Sequence, residues 1–151
     1  LMEHRKVYGG GGIMPDVFVP LDTAAYTKYY LAMRRYNLFN DAVLRYVDKN
    51  RATLLDRYKR FDDFEKNFEV PAELIARVEA EAAKKKVTPK DEAERKATMD
   101  DLKFVLKCLI AYDVWDRNEY YTLVNRRNDV VKEALRQLTV NRSIPAGTRS
   151  R

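Results

Sequence analysis

The distribution of glycine constrains this sequence more than any other feature. The chain of 151 residues has five glycines, four of them at Gly9–Gly12 and the last at Gly147. None lies between Ile13 and Ala146. Phosphate-binding loops, dinucleotide-binding turns and nucleophile elbows all need glycine where the backbone turns sharply or approaches a ligand. The long body of the chain therefore contains none of these three kinds of site.

The same body has the residue pattern of helices. The fifty residues that follow Pro20 contain neither glycine nor proline. Apolar residues recur at spacings of three and four, as they do on one face of a helix. The longest such stripe consists of Met99, Leu102, Val105, Leu106, Leu109 and Ile110. Since 46% of the residues are hydrophobic, a core can form. We predict a mainly α fold, with a multi-helix tail domain preceded by a short β-hairpin-like segment.

Capping residues and prolines predict where the helices begin. The predicted starts, in chain order, are Asp22 or Thr23, Asn40, Pro71, the run 88–91 and Asn128. Lys84–Lys86 would end the helix that starts at Pro71, because cations favour the negative end of a helix dipole. A short amphipathic turn is expected at Phe61, Phe64 and Phe68. The last helix would carry Val131, Ala134, Leu135 and Leu138 on one side.

Nucleophiles and metal ligands are scarce. The only histidine, His4, lies close to the chain start, where we expect it to be exposed. The only cysteine, Cys108, falls within a predicted helix without a histidine to activate it, so a buried inert thiol is expected. Serine occurs only at Ser143 and Ser150. No serine–histidine or cysteine–histidine hydrolase can be assembled in the body, and we expect neither a metal nor a cofactor.

Acidic pairs and tyrosines each allow a functional and a structural interpretation. Asp62 and Asp63, like Asp100 and Asp101, could be paired catalytic carboxylates. We expect them instead to stabilise helix N-termini, because both pairs fall where helix starts are expected.

The ten tyrosines and the net charge of +6 could indicate nucleic-acid binding, with bases stacked on aromatic rings. However, the basic residues alternate with acids, and several tyrosines follow helical stripes. Those tyrosines are Tyr26, Tyr29, Tyr30 and Tyr46. We therefore predict core packing for them and no nucleic-acid partner. No apolar run reaches the length of a membrane span.

The glycine run is followed at once by an apolar segment rather than by linker composition. Residues 5–19 read RKVYGGGGIMPDVFV. This segment resembles the one that closes the catalytic domain of C-terminal processing peptidases, also called tail-specific proteases, which use a Ser–Lys dyad. Their pattern is Gly-Arg, a strand, a glycine turn, then Gly-Ile-x-Pro-Asp and a second strand. The residues in this motif are Arg5, Tyr8, Gly9, Gly10, Gly11, Gly12, Ile13, Pro15 and Asp16, with His4 in place of the usual first glycine.

Two further stretches, 46–51 and 106–135, resemble the helical tails of bacterial members of that family. The residues concerned in the second stretch include Ala111, Trp115, Tyr120, Tyr121, Asn125 and Asp129. The resemblance implies three parts: residues 1–21 as the last β element of the protease core, 22–140 as a helical C-terminal tail domain, and 141–151 as a flexible tail.

The resemblance also implies where the chemistry would be. In these proteases the nucleophilic serine and the lysine base precede the glycine turn, and the lysine acts as a base once burial lowers its pKa. A chain that starts at Leu1 is expected to be a piece of something longer, so no catalytic residue is assigned here. We expect an inactive fragment of an exported, periplasmic serine endopeptidase that cleaves polypeptides near their C-termini. Its partners would be the protease and PDZ-like regions that precede it.

The role of the tail stays open between bracing the protease core, shaping substrate access and mediating assembly. The alternative is a free-standing helical interaction module whose glycine run is a linker. Residues 5–20 raise a further possibility, because a lone hairpin is marginal in water and exposed strand edges find partners. A homodimer could form by pairing of this segment between two copies.

Overall fold

The computed structural model describes Val17, Val19 and residues 26–142, with side chains up to Thr139. This part of the chain contains seven helices and no strand. They are α1 (Lys28–Arg35), α2 (Leu38–Arg57), α3 (Phe61–Asn67), α4 (Ala72–Lys84), α5 (Glu92–Val114), α6 (Arg117–Arg127) and α7 (Asp129–Arg142). The predicted mainly α, multi-helix fold is confirmed. The hairpin-like segment lies outside the described residues, apart from Val17 and Val19, and neither of these two residues lies in a strand. Helix α7 continues past residue 140, and the rest of the predicted tail, 143–151, is likewise outside them.

Helix α5 is the centre of the fold. It packs against α1, α2 and α6, while α4 packs against α2. Leu102, Leu106 and Ile110 of α5 have no solvent-exposed surface. They belong to the same buried cluster as Val43 and Val47 of α2, which are each 1% exposed. Three residues of the predicted stripe therefore lie in the core, because their spacing keeps one face of α5 turned to its neighbours, while Met99, Val105 and Leu109 are partly buried beside it.

Aromatic rings hold the short helix α3 in place. The completely buried Phe64 stacks on Phe68 with ring centroids 4.5 Å apart, and it lies 4.7 Å from Trp115 at the end of α5. Tyr58 meets Phe64 edge-on at 5.6 Å. The short amphipathic turn predicted from the phenylalanines is confirmed. Because aromatic pairs add to simple burial, these rings fix α3 against the core.

Two of the predicted helix starts are confirmed. Pro71 is the residue before α4. A backbone N–H at this position has no partner within the helix, so proline costs no hydrogen bond there. The Asn128 side-chain oxygen accepts hydrogen bonds from the backbone N–H groups of Val130 (3.0 Å) and Val131 (3.3 Å), which caps α7. Helix α4 also ends at Lys84, where the lysine run was expected to end it.

The other three starts differ from the prediction. Helix α1 begins later than Asp22 or Thr23 suggests, because the Thr27 hydroxyl accepts from the Tyr30 N–H at 3.1 Å. Helix α2 begins at Leu38, after Asn37 in the left-handed region (φ 55°), a conformation that asparagine tolerates. Helix α5 is capped by Asp91 instead of Thr88, through a 2.8 Å bond from the Glu94 N–H.

The interpretation of Asp100 and Asp101 as helix-start residues is wrong. Both lie in the middle of α5, which starts at Glu92. Their carboxylates face Arg127 of α6 instead, at 2.9 Å and 3.6 Å. The apolar stripe continues on either side of them, so the helix had no reason to begin there. Asp62 and Asp63 do lie in the first turn of α3, as predicted.

Candidate functional site

The residues predicted to carry the family motif lie outside the described part of the chain. This holds for Arg5, Tyr8, Gly9, Gly10, Gly11, Gly12, Ile13, Pro15 and Asp16, and for His4, Ser143 and Ser150. Cys108 is described. It is 1% exposed, and burial raises the pKa of its thiol to about 12, so the inert-thiol prediction is confirmed. Within the described residues no three histidine, cysteine or carboxylate side chains come together as a metal site. None of their helices is long and apolar enough to cross a bilayer.

The first notable arrangement stands where the chain enters the helical body. The hydroxyls of Thr27 and Thr98 are hydrogen-bonded at 2.5 Å, although 71 residues separate them in sequence. Thr98 is completely buried on α5, and its hydroxyl also donates to the Glu94 carbonyl oxygen at 2.7 Å. The Glu94 carboxylate accepts from the Tyr29 N–H (3.2 Å) and the Lys90 N–H (2.7 Å). We call Thr27, Glu94 and Thr98 the entry clasp, because they join the start of α1 to the start of α5.

The second arrangement is a groove bounded by α2, α5 and α6, with a volume of about 460 Å³. It is lined by Asn40, Leu44, Leu109, Tyr112, Asp113, Arg117, Tyr120 and Tyr121. We call it the tyrosine groove. Three of its apolar side chains are about half exposed: Leu44 at 51%, Tyr112 at 46% and Tyr121 at 52%. Tyr120 holds the wall together by edge-on contacts with Tyr112 (6.1 Å) and Tyr121 (5.2 Å).

An adjoining cavity of about 280 Å³ shares Asn40, Leu109 and Tyr120 with the groove and extends it towards α1. Tyr26 closes that end, stacked on Tyr30 at 4.7 Å. Burial raises the pKa of Tyr30 to about 12, so its ring stays neutral. The prediction of core packing is confirmed for Tyr29 and Tyr30, which are buried, and for Tyr46, which is half-buried. It is wrong for Tyr26, which is 47% exposed because it precedes the cap of α1.

The charged side chains that line the tyrosine groove are Asp113 and Arg117. The Asp113 carboxyl is half-buried, and loss of solvation raises its pKa against the opposing effect of Arg51. Arg117, at the start of α6, is exposed. The groove therefore combines aromatic faces with a few polar groups, as binding surfaces do. Sequence reasoning missed it, because the helical period does not show which tyrosines a neighbouring helix leaves uncovered.

A third hollow of about 520 Å³, between α3, α5 and α6, is dominated by charges that already have partners. Lys107 donates to the carbonyl oxygens of Glu65 and Phe68, both at 2.8 Å. Desolvation lowers the pKa of this lysine. Arg126 pairs with Glu65, and the Arg127 guanidinium lies 4.0 Å above the Phe104 ring. These contacts close the C-terminal end of α3 and join α6 to the body, which is a structural role.

Comparison with known proteins gives one match. A family model described as a family of unknown function (DUF8443) matches residues 29–116. This region begins in α1 and extends just past the end of α5, so it includes Glu94 and Thr98 of the entry clasp together with Leu44 and Tyr112 of the tyrosine groove. Helices α6 and α7 follow it. No curated protein and no solved structure matches the chain.

Proposed function

Because the chain belongs to the family of unknown function DUF8443, whose description names no activity, we propose a function from its residues. We propose that it is the non-catalytic, helical C-terminal region of a serine endopeptidase of the C-terminal processing type. Its role there is to brace the protease core that precedes it. The parent would be an exported, periplasmic enzyme acting on polypeptides.

The observation that carries this proposal is the position of the entry clasp. The motif that resembles the end of a protease core finishes at Val19, and the clasp begins only a few residues later at Thr27. In the proposed parent, a chain that leaves the protease core at this point would be bound to two helices of the body within a few residues. A short connection between two folded parts limits their relative motion, which is what a brace requires.

The body behind the clasp is tied together by strong polar contacts. Arg95 of α5 forms two hydrogen bonds to the Glu79 carboxylate of α4, at 2.7 Å and 3.0 Å. Such bidentate pairs fix geometry as well as charge. Since Arg95 directly follows Glu94 of the clasp, the starts of α1 and α5 and the middle of α4 form one connected unit. A displacement of the entry segment would therefore be transmitted to α1, α4 and α5.

The decisive experiment uses the parent protein and the substitution Thr98→Val. This change keeps the shape of the side chain but removes the hydroxyl that links Thr27 to α5. We expect a lower melting temperature of the protease and slower cleavage of both short peptides and whole proteins. Thr122→Val is the matched control, because the Thr122 hydroxyl makes a similar 2.8 Å bond to the Asn118 carbonyl oxygen on an exposed part of α6.

Comparing the cleavage of short peptides with that of whole proteins distinguishes a bracing role from a role in substrate access. A brace affects the catalytic centre itself, so short peptides and proteins should lose rate together. Loss of protein cleavage alone would indicate a role in substrate access. If Thr98→Val lowers the stability of the helical body while both cleavage rates stay unchanged, the bracing proposal is wrong.

The isolated chain is expected to show no peptidase activity on casein or on peptides. Its two serines, Ser143 and Ser150, follow α7, and its cysteine is buried and protonated. Cleavage by the fragment that survives replacement of both serines by alanine would contradict this account of the chemistry.

The second candidate function is a free-standing helical interaction module, and the tyrosine groove favours it. An exposed aromatic groove is a common means of holding a partner. The coding sequence upstream of Leu1 distinguishes the two functions. A PDZ-like segment followed by a serine nucleophile and a lysine base would support the protease, whereas a stop codon or an unrelated domain would exclude it.

A further inference from the structure

Helix α7 presents an apolar face that the described part of its own chain leaves uncovered. Val131, Ala134, Leu135 and Leu138 follow one another at the spacing i, i+3, i+4 and i+7, on one side of the helix. Leu135 is 59% exposed and Leu138 is 63% exposed. This is the anchor spacing of amphipathic helices that bind in hydrophobic grooves.

The charges beside this stripe are already neutralised within α7. Lys132 pairs with Asp129 at 2.8 Å. Arg136 forms two hydrogen bonds to the Glu133 carboxylate, at 2.8 Å and 2.6 Å. Covering the apolar face would therefore leave no unpaired charge from these residues, which avoids the cost of burying a charge without a partner.

The tyrosine groove of the same chain is not where α7 lies. The groove involves the first part of α6, at Arg117, Tyr120 and Tyr121, whereas α7 starts beyond the other end of α6. Only Asn128 separates the two helices, and two helices need about two to five loop residues to fold back on each other. Within residues 26–139, the leucines of α7 and the groove therefore stay exposed together in one chain.

We propose that α7 of one copy binds in the tyrosine groove of a second copy, and that the second copy returns the same contact. Leu135 and Leu138 would lie against Leu44, Tyr112 and Tyr121 of the other chain. This exchange satisfies two-fold symmetry, because each chain offers one helix and one groove. It does not rest on the proposed protease function, and it uses surfaces different from the strand segment at residues 5–20.

The area buried in the interface favours this exchange over a dimer in which α7 of one copy packs only against α7 of the other. A stable interface buries about 800 Å² on each partner. One face of a 14-residue helix against its copy is a small contact. In the exchange each chain buries both its helix face and its groove, so the covered area per chain roughly doubles. The groove, with a volume of about 460 Å³, has room for leucine side chains, and tyrosine rings offer them apolar faces while their hydroxyls stay at the rim.

The test measures the mass of the full chain in solution by light scattering and sedimentation over a wide range of concentration. We expect a dimer for the unchanged chain. Leu135→Glu combined with Leu138→Glu should weaken it, and so should Leu44→Glu in the groove. Because each substitution affects both contacts of a symmetric dimer, a tenfold loss per contact raises the dissociation constant about a hundredfold. Leu31→Glu is the matched control, since Leu31 of α1 is also exposed, at 47%, and lies away from the groove.

Mixing the variants gives a sharper test. A chain with a defective α7 and a chain with a defective groove can still form one intact contact, between the good helix and the good groove. A contact that a glutamate on one side has already broken loses little more when its other side is also changed, so the mixture should associate more strongly than either variant alone. All the substituted leucines are exposed, and circular dichroism of each variant verifies that the helices are retained.

Three results would overturn the proposal. The first is a monomer at every concentration. The second is a dimer that tolerates the α7 substitutions but disappears when residues 1–20 are deleted, which would assign the association to the strand segment. The third is a dimer that is lost with the α7 substitutions but kept with Leu44→Glu, which would indicate direct pairing of the two α7 helices.

Discussion

Helices α5 and α7 have the same kind of sequence pattern and opposite surroundings. Both carry apolar residues at helical spacing. In α5 the stripe through Leu102, Leu106 and Ile110 is completely buried, whereas in α7 Leu135 and Leu138 remain more than half exposed. The difference comes from the neighbours, because α5 is enclosed by three helices, whereas the main contact of α7 is with α6, the helix that directly precedes it. Periodicity therefore predicts which residues share a face, and the partners of that face decide whether it is buried.

The largest expected effect lies in α5. Leu106→Ala should lower the free energy of unfolding by about 2–5 kcal/mol, the usual range for a buried leucine whose removal leaves a cavity. Leu109→Ala should cost less than Leu106→Ala, because Leu109 is half-buried and borders the tyrosine groove. Urea denaturation of each variant measures both values. Equal values for the two leucines would mean that the groove side of α5 is covered by something else.

The next effect concerns the end of α3. Lys107→Met should cost about 1–3 kcal/mol, because the carbonyl oxygens of Glu65 and Phe68 lose a charged donor in a partly buried place. Lys103→Met is the matched control on the same helix, since Lys103 is exposed and borders the same hollow. Thermal melts of the two variants would separate the loss of these bonds from a simple change of charge. A similar loss in both would remove the structural role assigned to Lys107.

A smaller effect is expected in α7 itself. Leu138→Ala should change the free energy of unfolding by less than about 0.5 kcal/mol, as for other exposed positions. The free energy of unfolding should be measured at a protein concentration at which the chain is monomeric. Set beside Leu106→Ala, it tests the contrast between the two stripes directly. A cost comparable to that of Leu106 would show that α7 is covered within its own chain.

The smallest effect is local and depends on pH. Hydrogen bonds from Arg136 and Gln137 lower the pKa of the partly exposed Glu133 carboxyl from 4.5 to about 2. Because this pKa is lowered by folding, the carboxylate stabilises α7 above its ordinary pKa, and that support is lost as the pH falls from 4.5 towards 2. Amide exchange or chemical shifts of α7 should report fraying in this window. Glu133→Gln should remove the pH dependence.

Local features were the ones that could be predicted from the sequence. The stripe of α5, the phenylalanine turn and the Asn128 cap each depend on residues close together in the chain. The entry clasp could not be predicted, because Thr27 and Thr98 are neighbours only after α1 has packed on α5. The same reason explains Asp100, whose partner Arg127 belongs to another helix.

The cavity that adjoins the tyrosine groove illustrates a different limit. Tyr26 and Tyr30 are four residues apart and stack on each other, yet one is 47% exposed and the other 5%. Spacing correctly placed their rings side by side. It could not show that the chain enters its helix only at Lys28, which leaves Tyr26 outside the packed surface.

The sole thiol of the chain, Cys108, has a practical and a biological consequence. At 1% exposure on the central helix, it can react with a thiol reagent only when the core opens, so its labelling rate counts the opening events of the native protein. In an oxidising compartment the same enclosure would keep copies of the chain from cross-linking through disulfides. The labelling rate of this one sulfur atom therefore reports how often the core opens. While the core is closed, it protects the sulfur from reagents in the solvent.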